Sequence, residues 1–372
     1  MTHAFRSDHA DAEPAPDGAD FATLGEIYAT ARERLLPEVW EVLDGGAGEE
    51  QSLRDNIAAM ARWCFRPRYL GGLQASDVST RFLGIDLALP VLTAPIGGDG
   101  MFHERGQCAI AEATAAAGTV TIVSEASPFV LETVAAASRA PKIMQLMAWG
   151  EPEQFLALAR RAVAAGYAAL CVTIDCPTLG WRERPMKSRF TTPGRQWSGN
   201  YPQAADRLAA GVGSTWTWET FAQVRAELDL PVLAKGVMTA EDAVAAVESG
   251  ASGVVVSNHG GRQLDCLPAT LDQLPEVADA VGDRVPVAFD GGIRRGADVL
   301  KALALGADVV CVGRLTAMSL AAGGTPAVLR ALDLLRAELE RSMLLVGRAS
   351  IADVDRTVVQ PRLSGGAPGE RE

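Results

Sequence analysis

Short apolar runs alternate with Ala-rich stretches of helical periodicity along most of the chain. Eight runs have the length and composition of strands buried on both faces: PVLTAPIG (90–97), TVTIVS (119–124), KIMQLM (142–147), AALCVTID (168–175), PVLAKGV (231–237), GVVVSN (253–258), VPVAFDGG (285–292) and ADVVCVGR (307–314). Such strands, joined by helices, are typical of parallel sheets with right-handed crossovers. An open doubly wound sheet has the same alternation, but polar residues follow nearly every strand here, which favours an α/β fold of the closed (β/α)8 TIM-barrel type.

Two segments outside this repeat complete the predicted architecture. Residues 22–43 and 47–64 have helical periodicity and form an N-terminal helical preface, interrupted by Gly45 and Gly46. We therefore predict a single (β/α)8 barrel domain over 21–363, with a disordered N-terminal tail (1–20) and a flexible C-terminal tail (364–372).

A long connection follows the fourth predicted strand. Residues 190–216 are rich in Gly, Pro, Ser, Asn and Gln and have little periodicity, so the connection is much longer than an ordinary βα loop. Long loops at the catalytic face of a barrel are often functional, which makes this one a candidate lid. The alternative is a solvated insertion without function.

Charge, cysteine content and hydropathy argue against several classes of function. The net charge is −12 and no basic run is present, which argues against nucleic-acid binding. The six cysteines form no CxxC pair, so we expect free thiols, no disulfide and no zinc or other metal. The N-terminus lacks a signal-peptide pattern, and no apolar stretch approaches 18 residues, so we expect a cytoplasmic protein that does not bind a membrane.

The last two predicted strands end in residues suited to a phosphate group. Barrels commonly bind phosphate there, with glycines that allow close backbone approach and arginines that add charged donors. The candidates are Gly291, Gly292, Arg294, Gly313 and Arg314.

The candidate catalytic residues also follow strands. His259 and Arg262 lie just beyond the strand 253–258, and His259 is the histidine best placed for proton transfer. Asp175 and Arg182 follow another strand end, where a carboxylate can orient a histidine and an arginine can bind a substrate carboxylate. The structural alternatives are a loop-capping histidine and a helix-capping aspartate. Lys235 is predicted to point into the barrel mouth, where a buried lysine needs an anion.

These segments together resemble the FMN-dependent α-hydroxy-acid oxidase and dehydrogenase family, over roughly residues 22–355. The most specific motif is SNHGGRQLD (257–265), supported in the same order by FRPRYL (65–70), KGVMTAEDA (235–243) and DGGIRRGADVLKALALGA (290–307). The resemblance implies FMN as cofactor, bound by Pro95, Ile96, Gly97, Ser124, Gln145, Thr173, Lys235, Ser257, Asp290, Gly292, Arg294, Gly313 and Arg314.

The resemblance also implies roles at the substrate. His259 matches the catalytic base, Asp175 its partner, and Arg182 and Arg262 the arginines around the substrate, while Lys235 matches the lysine that faces the flavin. Transfer of a hydride and removal of the α-proton to give a carbanion use the same residues, and both remain open. The family further implies a small-molecule substrate, O2 or another electron acceptor, and a homo-oligomer, usually a homotetramer.

Three positions depart from the family pattern. Val42 and Met147 stand where the family usually has substrate-binding tyrosines, and Ala126 stands where it often has an aromatic residue. The pocket is therefore expected to be roomier and less polar, and to take a larger 2-hydroxy acid, for example one from a biosynthetic pathway. The alternatives on the same scaffold are oxidation of an amine-bearing acid and oxidative decarboxylation; a barrel that binds flavin or phosphate without redox catalysis is disfavoured by the presence of the catalytic set.

Overall fold

The computed structural model describes residues 20–201 and 216–362 of the chain. Eight parallel strands form a closed barrel, as predicted: β4 (Val91–Thr93), β5 (Thr121–Ser124), β6 (Lys142–Met147), β7 (Ala169–Thr173), β8 (Val232–Val237), β9 (Gly253–Val256), β10 (Val287–Asp290) and β11 (Val309–Val312). The strands pair in chain order, and β11 closes the barrel on β4, with Val310 opposite Val91. The eight predicted strands are therefore confirmed, each at or within its predicted limits.

One end of the barrel is closed and the other carries the polar residues. Inward-facing apolar side chains, among them Leu92, Ile143 and Val255, fill the barrel interior together with Phe82 and Leu87. These two come from an antiparallel hairpin of β2 (Thr80–Phe82) and β3 (Ile85–Leu87), which therefore caps the amino-terminal end of the strands. The candidate site residues follow the strands and therefore lie at the opposite end of the barrel.

Helices surround the barrel and pack on it. Their bounds are Leu24–Arg34, Pro37–Asp44, Gln51–Ala61, Gly106–Ala117, Leu131–Ala136, Pro152–Ala164, Glu183–Lys187, Trp218–Ala226, Ala240–Glu248, Thr270–Val281, Gly296–Ala304 and Arg314–Val346. The last is two helices that meet at a kink, where Gly323 and Gly324 leave helical geometry. None of the helices in the described ranges is long and apolar enough to cross a membrane.

The helical preface differs from the prediction in two places. The segment 22–43 is two helices, because Pro37 cannot continue the first and instead starts the second, while Leu35 and Leu36 are extended between them. The segment 47–64 becomes helical only at Gln51. Its end is Trp63–Phe65 (β1), which pairs antiparallel with Val359–Pro361 (β12) and joins the two ends of the domain.

The long connection is partly described. The helix Glu183–Lys187 ends just before it and a short 3-10 helix at Gly194–Gln196 lies within it, while the part of the predicted lid between Tyr201 and Trp216 lies outside the described residues. Most of the predicted tails also lie outside the described residues.

Candidate active site at the carboxyl ends of the strands

The structure brings His259 and Asp175 together above the strand ends. Nδ1 of His259 lies 3.2 Å from Oδ1 and 3.3 Å from Oδ2 of Asp175. His259 has a left-handed backbone (φ 58°), an uncommon conformation for a residue other than glycine, and its N–H donates to Ser257 Oγ. Gly236 on β8 leaves space for the carboxylate, because a β-carbon at that position would lie 2.5 Å from Cβ of Asp175.

The two groups have the protonation states that a base and its orienting partner need. Burial lowers the pKa of His259 below its usual value, against the opposing charge of Asp175, so the imidazole is neutral near pH 7. Burial alone would raise the pKa of Asp175, but the charges of His259 and Lys235 and the bond from His259 lower it. With Nδ1–H donated to the carboxylate, Nε2 carries the free lone pair.

Arg182 and Arg262 lie beside this pair without a carboxylate partner. Arg182 donates through Nε to the carbonyl of Arg262 and through Nη2 to Gln263 Oε1, while Arg262 donates to the carbonyls of Leu43 and Gly45. Burial lowers the pKa of both guanidinium groups, and their mutual repulsion lowers that of Arg262 further. Within residues 20–201 and 216–362 no carboxylate lies within salt-bridge distance of either arginine, so the pair is suited to an anionic ligand.

Cys176 completes the immediate surroundings of the dyad. Its thiol lies 3.6 Å from Asp175 Oδ1 and 3.6 Å from Nδ1 of His259. The ligand atoms of these three residues lie within 4.8 Å of one another, a spacing that a metal ion can bridge. Burial and the Asp175 charge raise the pKa of the thiol, however, so Cys176 keeps its proton and can donate it weakly to the carboxylate.

A second charged group lies deeper in the barrel. Lys235 Nζ donates to Ser257 Oγ at 3.1 Å, and that hydroxyl donates to Asp290 Oδ2 at 2.8 Å. The lysine and the Asp290 carboxylate are 3.6 Å apart. Burial opposes the charge of Lys235, but Asp290 and Asp175 together raise its pKa, so the ammonium persists inside the barrel mouth.

At this end of the barrel, several buried polar atoms have no hydrogen-bond partner among the described residues. They are Gln145 Nε2, Thr173 Oγ1, Asp290 Oδ1 and Arg314 Nε. Ser124 Oγ lies beside them and donates to Gln145 Oε1 at 3.1 Å. An unsatisfied buried polar atom costs about 1–3 kcal/mol, so this set is the inner surface of a binding site for a polar ligand.

The two predicted phosphate arginines have different surroundings. Arg294 is exposed, with its guanidinium 5.4 Å from the centre of the Tyr28 ring. Arg314 is largely buried and donates to the carbonyls of Gly260 and Gly45, and burial lowers its pKa to about 10. Burial raises the pKa of the Tyr28 phenol, while the charges of both arginines lower it, so both cations lie near this ring.

The other predicted contact residues line the same end of the barrel. Pro95, Ile96 and Gly97 follow β4, Gly292 follows β10 and packs against the Asn56 carbonyl, and Gly313 follows β11. Met147 ends β6. Val42 lies on the helix Pro37–Asp44, next to Leu43, whose carbonyl accepts from Arg262.

Two groups that organise the site were missed from the sequence. Gln263 donates to the carbonyls of Asp175 and Thr178 and accepts from Arg182, so one amide joins the loop of His259 to the loop of Asp175. Asn56 and Asn258 exchange side-chain hydrogen bonds of 2.8 and 3.0 Å inside the protein. Gln263 and Asn258 lie in the His259 motif, but nothing in the sequence indicates which polar groups their amides bind.

Comparison with known proteins agrees with the geometry. The model of the family described as FMN-dependent dehydrogenase matches residues 31–361. Glycolate oxidase 3 of Arabidopsis thaliana is 40% identical over 92% of this chain and 96% of its own length, and glycolate oxidase 1 of Zea mays is 40% identical over 91% and 95%. A crystal structure of mandelate oxidase superposes with a TM-score of 0.87 at 38% identity, covering 92% of this chain and 99% of that one. The chain therefore belongs to the FMN-dependent dehydrogenase family, which includes the 2-hydroxy-acid oxidases, and is an FMN-dependent oxidoreductase that acts on CH–OH groups.

Proposed function

We propose that the protein oxidises a 2-hydroxy acid larger than glycolate or lactate to the corresponding 2-oxo acid, with the residues above in the following roles. The observation that carries the proposal is the pair Arg182 and Arg262, two cations without a carboxylate partner among the described residues. Arg182 is close enough for its charge to lower the pKa of His259. A substrate carboxylate held by this pair brings its α-carbon beside the imidazole.

The buried polar atoms of the barrel mouth fit FMN. Gln145 Nε2 offers a donor, Thr173 a hydroxyl and Lys235 a charged donor, and these match the carbonyl and nitrogen acceptors along the polar edge of a flavin ring. Ser257 and Asp290 would bind the ribityl chain, and Arg294 and Arg314 the phosphate. FMN, when bound, supplies the acceptor for the two electrons that leave the substrate.

The protein side chains handle the protons and the charge. His259 Nε2 takes a proton from the substrate, either from the hydroxyl as the α-hydrogen leaves with its electron pair or from the α-carbon itself. Asp175 keeps the ring oriented and stabilises the imidazolium that results. The Lys235 ammonium would lie beside the bound flavin, where its fixed positive charge would favour the uptake of electrons.

The substrate size follows from what surrounds the arginines. Val42 and Met147 offer no hydroxyl to the substrate, and Ala126 offers little volume. A two- or three-carbon acid would be held by its carboxylate alone, and loose placement slows a reaction. A larger 2-substituent would fill the apolar space, and its contacts there would orient the substrate.

Anaerobic bleaching of the flavin tests the proposal before any acceptor is known. The FMN-loaded protein is mixed with a panel of 2-hydroxy acids of increasing size, with 2-amino acids of the same side chains as the comparison. We expect rapid bleaching by a larger 2-hydroxy acid, slow or no bleaching by glycolate, and release of the 2-oxo acid with its carboxylate intact. Bleaching by amino acids alone, or release of CO2, would establish one of the alternative reactions, and admission of O2 to the reduced enzyme then decides between an oxidase and a dehydrogenase.

The assembly and compartment are also proposals. The family resemblance supports a homotetramer, which light scattering of the holoenzyme tests directly. We keep the cytoplasm as the proposed location, although one relative is described as a peroxisomal (S)-2-hydroxyacid oxidase of Arabidopsis thaliana. Imaging of the full-length chain in its own cells distinguishes the two.

A further inference from the structure

The described start of the long connection is bonded to the segment that follows β5. Gly199 N–H donates to the Ser127 carbonyl at 2.9 Å. The buried side chain of Asn200 accepts from Leu131 N–H at 2.8 Å and donates to the Glu125 carbonyl at 3.0 Å. This part of the connection is therefore held by hydrogen bonds to Glu125, Ser127 and Leu131, which follow β5.

Glu125, which directly follows β5, is hydrogen-bonded both to the end of β6 and to the connection. Its carboxylate accepts from the Tyr201 hydroxyl at 2.5 Å and from Met147 N–H, at the end of β6, at 2.9 Å. Burial raises its pKa to about 7, against the lowering effect of these two hydrogen bonds. Glu125 thus bonds to the connection on one side and to the strand end that carries Met147 on the other.

The indole of Trp197, three residues before Asn200, lies against the turn that follows β4. A β-carbon built on Gly97 would lie 2.7 Å from Cζ3 of Trp197 and 3.3 Å from Cβ of Ala126. A β-carbon on the neighbouring Gly98 would lie 3.5 Å from Cη2 of the same ring. The indole edge, Gly97 and Ala126 therefore meet in one small volume, beside the strand end where the flavin ring is expected.

We propose that Trp197 forms the aromatic wall of the substrate pocket and that Glu125, Asn200 and Tyr201 are positioning residues that hold it there. The indole comes from the connection after β7 and occupies the region left open by the small side chain of Ala126. The wall selects 2-hydroxy acids with an aryl or extended apolar 2-substituent, because Trp197, Met147, Val42 and Ala126 offer apolar surface and the Glu125 carboxylate is bonded elsewhere. This inference rests on the proposed function, whose substrate class it narrows.

Ligand binding tests the wall independently of turnover. Product-like 2-oxo acids that perturb the flavin absorbance, benzoylformate with an aryl group and pyruvate without one, are titrated into the holoenzyme. We expect Trp197→Ala to weaken benzoylformate about tenfold to thirtyfold through the lost aromatic contact, and pyruvate less than about twofold. Trp197→Phe, which keeps a smaller ring, should stay within about threefold of the parent for both ligands. Equal weakening of both ligands by Trp197→Ala, or no weakening of either, overturns the proposal.

A double-mutant cycle tests the geometry. Gly97→Ala puts a β-carbon against the indole, so it should displace the ring and weaken benzoylformate in the parent but have little further effect in a Trp197→Ala background. Additive effects of the two changes would mean that Gly97 and Trp197 do not meet, and the wall is then elsewhere. If the alanine variant does not fold, Trp197→Leu takes its place in the cycle, because leucine also lacks the ring that meets Gly97.

The positioning residues are tested through kinetics. Tyr201→Phe removes the hydroxyl that bonds Glu125, and should raise KM for an aryl 2-hydroxy acid while leaving its limiting rate of flavin reduction and its FMN content unchanged. An equal fall in the limiting rate for aryl and small acids would contradict a positioning role. Failure of every 2-hydroxy acid to bleach the flavin would refute the proposed function alone, because discrimination between the two 2-oxo acids remains measurable.

Discussion

Nδ1 of His259 lies 3.2 Å from Oδ1 of Asp175, and the carboxylate opposes the lowering of the His259 pKa that burial causes. This balance gives the first prediction. The base works only when neutral, so substrate-dependent flavin reduction should fall as the pH falls through the lowered pKa of His259. Asp175→Asn removes the charge that raises that pKa, so the acid limb should move to lower pH, while the rate at neutral pH drops about 10²–10⁴-fold. Stopped-flow reduction across pH measures both.

The control for this prediction is His259→Ala. It should retain FMN, because the histidine is assigned to the substrate and not to the cofactor, and it should lose the acid limb. A rate within about tenfold of the parent in His259→Ala would show that another group takes the proton.

A second prediction concerns the buried lysine. Lys235→Met leaves Asp290 as an uncompensated carboxylate within the barrel, and removing one member of a buried ion pair costs about 3–5 kcal/mol. Thermal unfolding of the apoprotein should show this loss directly. The matched control is Lys187→Met, because Lys187 is exposed and its salt bridge among the described residues is to Glu183, one turn earlier in the same helix; its Tm should not change. A Tm for Lys235→Met equal to that of the control would contradict the assigned pair.

A third prediction separates two adjacent arginines. Arg294→Met should weaken FMN binding by about 1.5–3 kcal/mol if Arg294 donates to the phosphate. Arg295 is the next residue and is also exposed, but it pairs with Glu338, so Arg295→Met is the matched control and should leave FMN affinity unchanged. Titration of apoprotein with FMN measures both, and equal affinities for the two variants would place the phosphate elsewhere.

The barrel was predictable because each strand is a short apolar run, and polar residues appear directly where the run ends. His259 and Asp175 are far apart in sequence, yet both follow strands, and parallel strands bring their carboxyl ends to one rim. The same reasoning placed Lys235 inside the barrel mouth, where the structure has it bonded to Ser257.

Long-range contacts of single side chains were not predictable. Trp197 lies in a stretch without periodicity, so no pattern indicates that its indole reaches Gly97. Gln263 and Gly236 likewise look ordinary in sequence, although one joins the two catalytic loops and the other makes room for Asp175. The break before Pro37 could have been recognised, because a proline inside a helical pattern normally marks a boundary.

The last prediction concerns the two positions that lack the family's tyrosines. Glycolate and lactate should reduce the flavin slowly, because each missing hydroxyl forfeits a hydrogen bond worth about 0.5–1.5 kcal/mol, and two such losses weaken small-acid binding by about one to two orders of magnitude. Val42→Tyr combined with Met147→Tyr should therefore raise kcat/KM for small 2-hydroxy acids and lower it for an aryl acid, because the new rings fill the space that the larger substituent needs. Val42→Phe with Met147→Phe is the matched control: it adds the rings without the hydroxyls, so it should lower activity on the aryl acid without a gain on lactate. Efficient oxidation of glycolate or lactate by the unmodified enzyme would refute this account of Val42 and Met147, and the substrate would then be an ordinary small 2-hydroxy acid.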